Sequence, residues 1–286
     1  MDLSIIIISW NVKEKLKENL AALLKSAGGL SYEIFVVDNA SADETAEMVR
    51  HDFPEVKLIV NKKNLGFAKA NNQALKQATG RYVLLLNPDM KVFPDTLSKM
   101  LNWLDANHQA AVAGCKLVNE HGEIIKQVRC FPTLADQLAI VLKLPHLFPE
   151  VLNNYLRNDF NYEKSAAVDS IRGGFFMIRR EIIEKIGLLD ERFFLWFEEV
   201  DYCQRVKRAG LEVWYTNSAK CLDYIGQSFK QLNRGVAQKY FRDSMLKYFK
   251  KWRPGCEYVV LKLAWPIGLL IAKLGDVMKI KSKTRT

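Results

Sequence analysis

The stretch Arg81-Tyr82-Val83-Leu84-Leu85-Leu86-Asn87-Pro88-Asp89 is an apolar run that stops on a carboxylate. Bounded by Gly80 and Pro88, its valine and leucines predict a strand buried on both faces, as in a parallel sheet covered by helices. An acid at the carboxyl end of such a strand stands where open α/β sheets bind their ligands. Alone, Asp89 reads more simply as a solvated acid at a strand tip, so its company decides. Just upstream, Asn61-Lys62-Lys63-Asn64-Leu65-Gly66-Phe67-Ala68-Lys69-Ala70-Asn71-Asn72 brings amides, a glycine turn and lysines. Together they suit a phosphorylated ligand held through a divalent metal ion.

Working outward, the N-terminal part alternates. Residues 3–8 predict a first strand ending at Ser9-Trp10-Asn11, and residues 12–25 a helix with Leu16, Leu20, Leu23 and Leu24 on one stripe, stopped by Gly28-Gly29. Residues 33–37 predict a second strand ending on Asp38-Asn39. Ser41-Ala42-Asp43-Glu44 offers a capping box for a helix through Arg50. A third strand over 56–60, a helix over 67–79 and the strand over 82–86 complete parallel βαβ units with right-handed crossovers. Asp38, the 64–71 loop and Asp89 then fall on one rim of one sheet. Beyond it, 95–107 predicts a helix and 112–118 a strand. Residues 131–165, with Pro132, Pro145 and Pro149, fit either an acceptor-binding insertion or a packed irregular connection.

Composition bounds the partners. The chain has 286 residues, about half hydrophobic, with a formal net charge of +10. That is enough apolar material for a large core, and it excludes wholesale disorder. The positive charge favours phosphorylated partners or an anionic membrane surface. Nucleic acid fits less well, because the basic residues are dispersed and no nucleic-acid-binding motif occurs. Five cysteines without a Cys-x-x-Cys spacing suit reduced, packed thiols, with neither a disulfide framework nor a zinc site. The chain enters a strand almost at once, so no signal peptide is expected.

Order returns at Val168-Asp169-Ser170-Ile171-Arg172-Gly173-Gly174-Phe175-Phe176-Met177-Ile178-Arg179-Arg180, where two glycines before an apolar strand allow close approach of a ligand or of a neighbouring strand. Phe193-Phe194-Leu195-Trp196-Phe197-Glu198-Glu199-Val200-Asp201 then sets three acids after an aromatic cluster, opening a helix to about Arg208 that Gly210 ends. The macrodipole favours acids there, and Asp201 pairs most simply with Arg205 one turn on. Glu198 and Glu199 have no such partner in sequence, and the aromatic walls suggest a closed pocket.

These blocks, together with Val36-Val37-Asp38-Asn39-Ala40-Ser41, resemble glycosyltransferase family 2 in order and content over about residues 3–250, closest to its rhamnosyltransferase-like branch. The resemblance implies a GT-A fold: a Rossmann-like, mostly parallel sheet flanked by helices. It also implies a nucleotide-sugar donor (a dTDP- or UDP-sugar, with dTDP-rhamnose a candidate), Mg²⁺ or Mn²⁺, and inversion at the anomeric carbon. On that pattern Ser9, Asn11, Asp38, Asn39, Asn64, Gly66, Phe67, Asn71, Asn87 and Asp89 bind donor, Asp89 also holding the metal. Gly173, Gly174 and Trp196 line the acceptor side. The base lies in Glu198-Glu199, where the family carries Glu-Asp, which leaves the choice between the two open. Asp223 stands where the family's Gly-Gln-Ser block carries a histidine, and is expected to join Asp89 at the metal. The expected organisation is a catalytic domain over 1–235 (nucleotide-binding half 1–95, acceptor and catalytic half 96–235) and a basic helical extension over 236–286.

The chemistry fits these parts. Inverting transfer needs a carboxylate to take the acceptor hydroxyl's proton, and the departing diphosphate needs a Lewis acid. In the tail, residues 238–253 predict a basic aromatic helix. Residues 263–272 are apolar but interrupted by Pro266 and bracketed by lysines, too short and broken for a confident span and suited to a membrane interface. The expected protein is a cytoplasmic transferase on the inner face of the bacterial inner membrane, acting on a saccharide or lipid-linked saccharide in surface polysaccharide synthesis. Two alternatives are a sugar nucleotidyltransferase, which would need a glycine- and lysine-rich phosphate loop that Ser9-Trp10-Asn11 does not supply, and an inactive assembly partner that only binds donor or lipid.

Overall fold

The computed structural model describes residues 1–26, 28–224, 226 and 233–283, without side chains at 234 and 273–283. The elements run β1 (Leu3–Ser9), α1 (Lys13–Ser26), β2 (Tyr32–Asp38), α2 (Thr45–Asp52), β3 (Lys57–Val60), α3 (Phe67–Leu75), β4 (Tyr82–Leu86), β5 (Met90–Val92), α4 (Thr96–Ala106), β6 (Ala110–Val118), β7 (Val128–Arg129) and α5 (Leu134–Val141). Two 3₁₀ turns follow, then β8 (Ala166–Val168), β9 (Ser170–Ile171), β10 (Phe175–Arg179), α6 (Arg180–Ile186), α7 (Glu198–Arg208), β11 (Glu212–Asp223), α8 (Arg234–Trp252) and α9 (Gly255–Lys283).

The main sheet has the order β3-β2-β1-β4-β10-β6-β11-β5, with β8 on β11. Its first four strands are parallel, as the alternating sequence requires. β10 then inserts antiparallel between β4 and β6, making the sheet mixed. Strands β1 and β4 are buried along their whole length, and helices cover both faces. Leu16, Leu20 and Leu23 of α1 pack on one face and the alanines of α3 on the other.

Glu33 locks the amino end of this sheet. Its buried carboxylate accepts from Ser4 Oγ (2.6 Å) and from Thr79 N (2.7 Å) and Oγ1 (2.8 Å), and pairs with Lys57 at 2.7 Å. Burial alone would raise its pKa, but these donors hold it down at about 2.

Two local expectations are corrected. Ser41-Ala42-Asp43-Glu44 forms no capping box: Glu44 sits in the left-handed region at φ 61°, and Ser41 Oγ accepts from Asn11 N instead. Asp43 takes up the Thr45 N–H. The 263–272 segment is not broken at Pro266, since α9 runs unbroken through it. The 131–165 connection resolves into α5, with a Thr133–Asp136 capping box, and the short turns.

A third hydrophobic cluster lies beside the sheet. Met245, Tyr248 and Phe249 of α8 and Leu261 and Ala264 of α9 pack against Val141, Phe193 and Phe197. Gly268 lets α9 cross α5 closely, because a Cβ there would lie 2.2 Å from the Val141 carbonyl oxygen. The segment Gly255–Ala272 is long and apolar enough to cross a membrane by length and composition, and Val259, Val260, Leu263, Ile267 and Leu270 along it are exposed.

Candidate active site

The carboxyl ends of β1, β2 and β4 open on a cavity of about 290 Å³. Asn39, Asn64, Gly66, Phe67 and Asn87 line it, so half of the expected donor residues form its wall. The others sit around it. Ser9 pairs with Asp38 across β1 and β2, both buried. Asp38 Oδ2 accepts from Ser41 N at 3.1 Å, while its Oδ1 and Ser9 Oγ are buried without a hydrogen-bond partner among the described residues. Asn11 steadies the rim by accepting from Ala42 N at 2.6 Å. Asn71 donates to the Phe67 carbonyl and thereby serves the helix start.

The 61–66 loop is held by amides. Asn39 donates to the Gly66 carbonyl and accepts from Asn61 Nδ2 and Leu65 N. Gly66 has φ 82°, and a Cβ on it would lie 2.5 Å from the Phe194 carbonyl oxygen. Phe67 N donates to that same oxygen at 2.7 Å. Only glycine lets the loop pass here.

Sequence reasoning missed the opposite wall, Trp10, Phe194, Leu195 and Tyr240. Tyr240 of α8 stacks on Phe194 with ring centroids 4.4 Å apart. The aromatic run 193–197 was a signal for such a wall, but nothing local pointed to Tyr240. Trp196 faces away from this cavity and towards Phe241.

Asp89 and Asp223 meet at the next strands. Both are buried. Asp223 pairs in register with Met90, and Tyr224 N donates to the Asp89 carbonyl at 3.1 Å. Asp223 Oδ2 lies 3.3 Å from the Arg172 guanidinium, a cation the sequence reading did not single out. The partner family block is only partly visible: Gln227 and Ser228 lie outside the described residues. Among the described residues no three His, Cys, Asp or Glu side chains converge. Two buried carboxylates on neighbouring backbone nonetheless offer the hard oxygen donors that Mg²⁺ or Mn²⁺ take, with the rest of the coordination left to phosphate and water.

Glu198 and Glu199 open α7 after two consecutive left-handed residues, Trp196 (φ 65°) and Phe197 (φ 68°). Such backbone is costly in non-glycine residues and concentrates at functional sites. The acids share a narrow crevice with Gly173, Leu85, Phe176 and Phe67, and Phe67 also lines the donor-side cavity. A Cβ on Gly173 would lie 3.4 Å from Glu199 Cβ, so the bare glycine keeps room beside the acid. Gly174 holds β4 through its carbonyl to Asn87 N. One carboxylate oxygen of each acid is buried without a hydrogen-bond partner among the described residues.

Their environments differ. Burial, then the neighbouring Glu199 charge, pushes Glu198 well above the ordinary glutamate range. Burial also raises Glu199, but backbone N–H bonds and the cations Arg172 and Arg129 oppose it. Burial thus raises both acids of the pair, while the opposing cations stand at Glu199. Asp201 is structural: buried, it pairs with Arg205 (3.1 Å) and Lys251 (2.6 Å) and accepts from Trp252 Nε1 (2.7 Å).

With this geometry in hand, the family follows. The model of "Glycosyl transferase family 2" matches residues 4–187. The chain belongs to glycosyl transferase family 2. Among curated relatives, it is 26% identical over 216 residues to the low-salt glycan biosynthesis hexosyltransferase Agl10 of Haloferax volcanii, covering 74% of this chain and 64% of that protein. It is 23% identical over 222 residues to the N-acetylglucosaminyl-diphospho-decaprenol L-rhamnosyltransferase of Mycobacterium tuberculosis (74% of this chain, 72% of that one). It is 24% identical over 258 residues to rhamnosyltransferase WbbL of Escherichia coli (86% and 90%). A mannosyltransferase from Pyrobaculum calidifontis, solved with GDP-Man and Mn²⁺, superposes with a TM-score of 0.57 at 18% identity, covering 96% of this chain and 75% of that one. Staphylococcus aureus TarS superposes at 0.54 with 17% identity (87% and 72%). The fold is GT-A: a mostly parallel mixed sheet flanked by helices, here with a C-terminal apolar helix.

Proposed function

We propose that this transferase moves a sugar, with inversion, from a nucleoside-diphosphate donor to a hydroxyl of a saccharide carried on a lipid, at the cytoplasmic face of a membrane. The observation that carries it is the convergence of three things: a rim cavity, two buried carboxylates at Asp89 and Asp223, and a buried acid pair at the start of α7. The nucleoside sits against Asn39, Asn64 and Phe67, with Asp38 beneath. Asp89, with Asp223 beside it, would hold the divalent ion, which would supply charge neutralisation to the diphosphate. Arg172, carried by Asp223, brings a further cation between that place and Glu199.

Glu199 is the base. As the acceptor oxygen attacks the anomeric carbon, Glu199 takes its proton, while Glu198 stays protonated and keeps a second negative charge out of the crevice. Exclusion of water by Phe67, Phe176 and Leu189 favours transfer over hydrolysis. The exposed apolar face of α9, in a chain with net charge +10, suits an anionic membrane surface. The relatives' activities, as their names give them, support a rhamnose or other hexose donor and a polyprenyl-linked acceptor. Thermal-shift measurement with a panel of nucleotide sugars and Mg²⁺ or Mn²⁺, followed by transfer assays with the stabilising donor, tests the reading. Stabilisation by a donor that is then neither transferred nor hydrolysed would identify an inactive binding partner.

A further inference from the structure

Behind the donor-side cavity lies a second space. It is a groove of about 360 Å³ between α5, α8 and α9, lined by Ile140, Val141, Trp196, Phe241 and Trp265 with Lys143. That volume is within the range of small-molecule sites. Its wall is shared with the cavity in a regular way. On one loop Phe194 and Leu195 line the cavity while Trp196 lines the groove, and on α8 Tyr240 lines the cavity while Phe241 lines the groove. The left-handed backbone at Trp196 accompanies that change of side. Glu198 is two residues further, within ~7 Å along the chain.

The groove also opens onto α9. Trp265 belongs to that helix, whose outward residues Val259, Val260, Leu263, Ile267 and Leu270 are exposed. The groove thus joins an exposed apolar helix to the loop that leads into the Glu198-Glu199 pair. The one charged side chain among its described lining residues is cationic, Lys143. Continuity with an apolar surface, an aromatic lining and a cation at the edge together select an amphiphile with a long hydrocarbon chain and a phosphate head.

We propose that this groove seats the first part of the apolar tail of the lipid-linked acceptor, with the acceptor's phosphate against Lys143, so that the attached sugar reaches Glu199. The assignment rests on the transferase reading above and deepens it.

Farnesyl diphosphate, an isoprenoid chain with a diphosphate head, is the probe. It is titrated calorimetrically into the full chain with Mg²⁺ and saturating nucleoside diphosphate, so that the donor cavity is already filled. Saturable binding is expected. Ala237 of α8 also lines the groove; Ala237→Trp, which fills it, and Lys143→Glu, which reverses its charge, should each weaken binding by 10-fold or more, while thermal stabilisation by nucleotide persists in both. Failure of farnesyl diphosphate to bind, its displacement by nucleotide, or unchanged affinity in both variants overturns the proposal. Equal competition by phosphatidylglycerol vesicles also overturns it, making the groove a seat for bulk lipid. The underlying reading fails by a different result: no nucleotide sugar stabilises the chain, whatever farnesyl diphosphate does.

Discussion

The donor side and the acceptor side of this molecule are built in opposite ways. The donor side is local. Most of its polar groups stand at the end of a strand or in the loop after it, and side-chain amides such as that of Asn39, which donates to the Gly66 carbonyl, hold it in place. The acceptor side is assembled from distant segments: α5, the 193–197 loop, α8 and α9 meet in one hydrophobic cluster, and Asp201 ties α7 to the end of α8. A site made of strand ends tolerates variation elsewhere in the chain. One made of helix crossings depends on every helix in it.

The largest effect is expected at the junction of the two sides. Glu199→Gln should lower turnover by about 100-fold or more while donor affinity stays nearly unchanged, since proton transfer is lost but no donor contact is. Comparable damage from Glu198→Gln, with Glu199→Gln active, would exchange the two roles.

Next comes the donor loop. Gly66→Ala forces a Cβ into the Phe194 carbonyl at a left-handed position and should cost about 2–3 kcal/mol of stability, read by denaturant unfolding, with donor binding weakened in parallel. A neutral outcome would mean the loop is softer than its amides suggest.

The pH profile follows. Because burial raises the Glu199 pKa, kcat/KM should rise with pH through an inflection above the ordinary glutamate value. With Glu198 protonated over that range, Glu198→Gln removes no charge and should leave the inflection nearly in place. Glu33 acts in the other direction. Its folded pKa of about 2 lies below the unfolded value, so the stability it contributes is present above about pH 4.5 and lost as pH falls towards 2. Glu33→Gln should flatten the acid limb of the unfolding profile.

Smaller still, Asp223→Ala should raise the metal concentration for half-maximal activity, and Asp223→His should restore activity and shift preference from Mg²⁺ towards Mn²⁺. Unchanged metal dependence in both removes Asp223 from the metal. The smallest effect is expected from truncation after residue 255. The chain should leave the membrane fraction while donor affinity changes by no more than about twofold, because α8 and Tyr240 are retained. Continued membrane attachment would place the anchor elsewhere.

The same contrast explains what the sequence revealed. The strands ending at Ser9, Asp38 and Leu86 were legible because an apolar run, a turn and a polar tip are contiguous in the chain, and the parallel arrangement follows from the helices between them. The Glu198-Glu199 helix start and the Asp201–Arg205 pair were legible for the same reason. Tyr240 was not, since its place against Phe194 depends on how α8 packs, which no local pattern encodes. Nor was Arg172, whose partner Asp223 lies at the end of a distant strand. The Ser41 capping box failed because a third segment, Asn11, claims the Ser41 hydroxyl. Pro266 looked like a break in the helix, yet α9 continues through it.

The knot at Asp201 has one more consequence. Through Trp252 and Lys251 it joins the helix carrying Glu199 to the segment that leads into α9. With α9 seated on a bilayer as proposed, the base stands at a set height above the lipid, fixed by packed helices instead of a flexible tether. Such an enzyme measures its acceptor: a saccharide too short fails to rise to the base, and one too long carries its terminal hydroxyl past it.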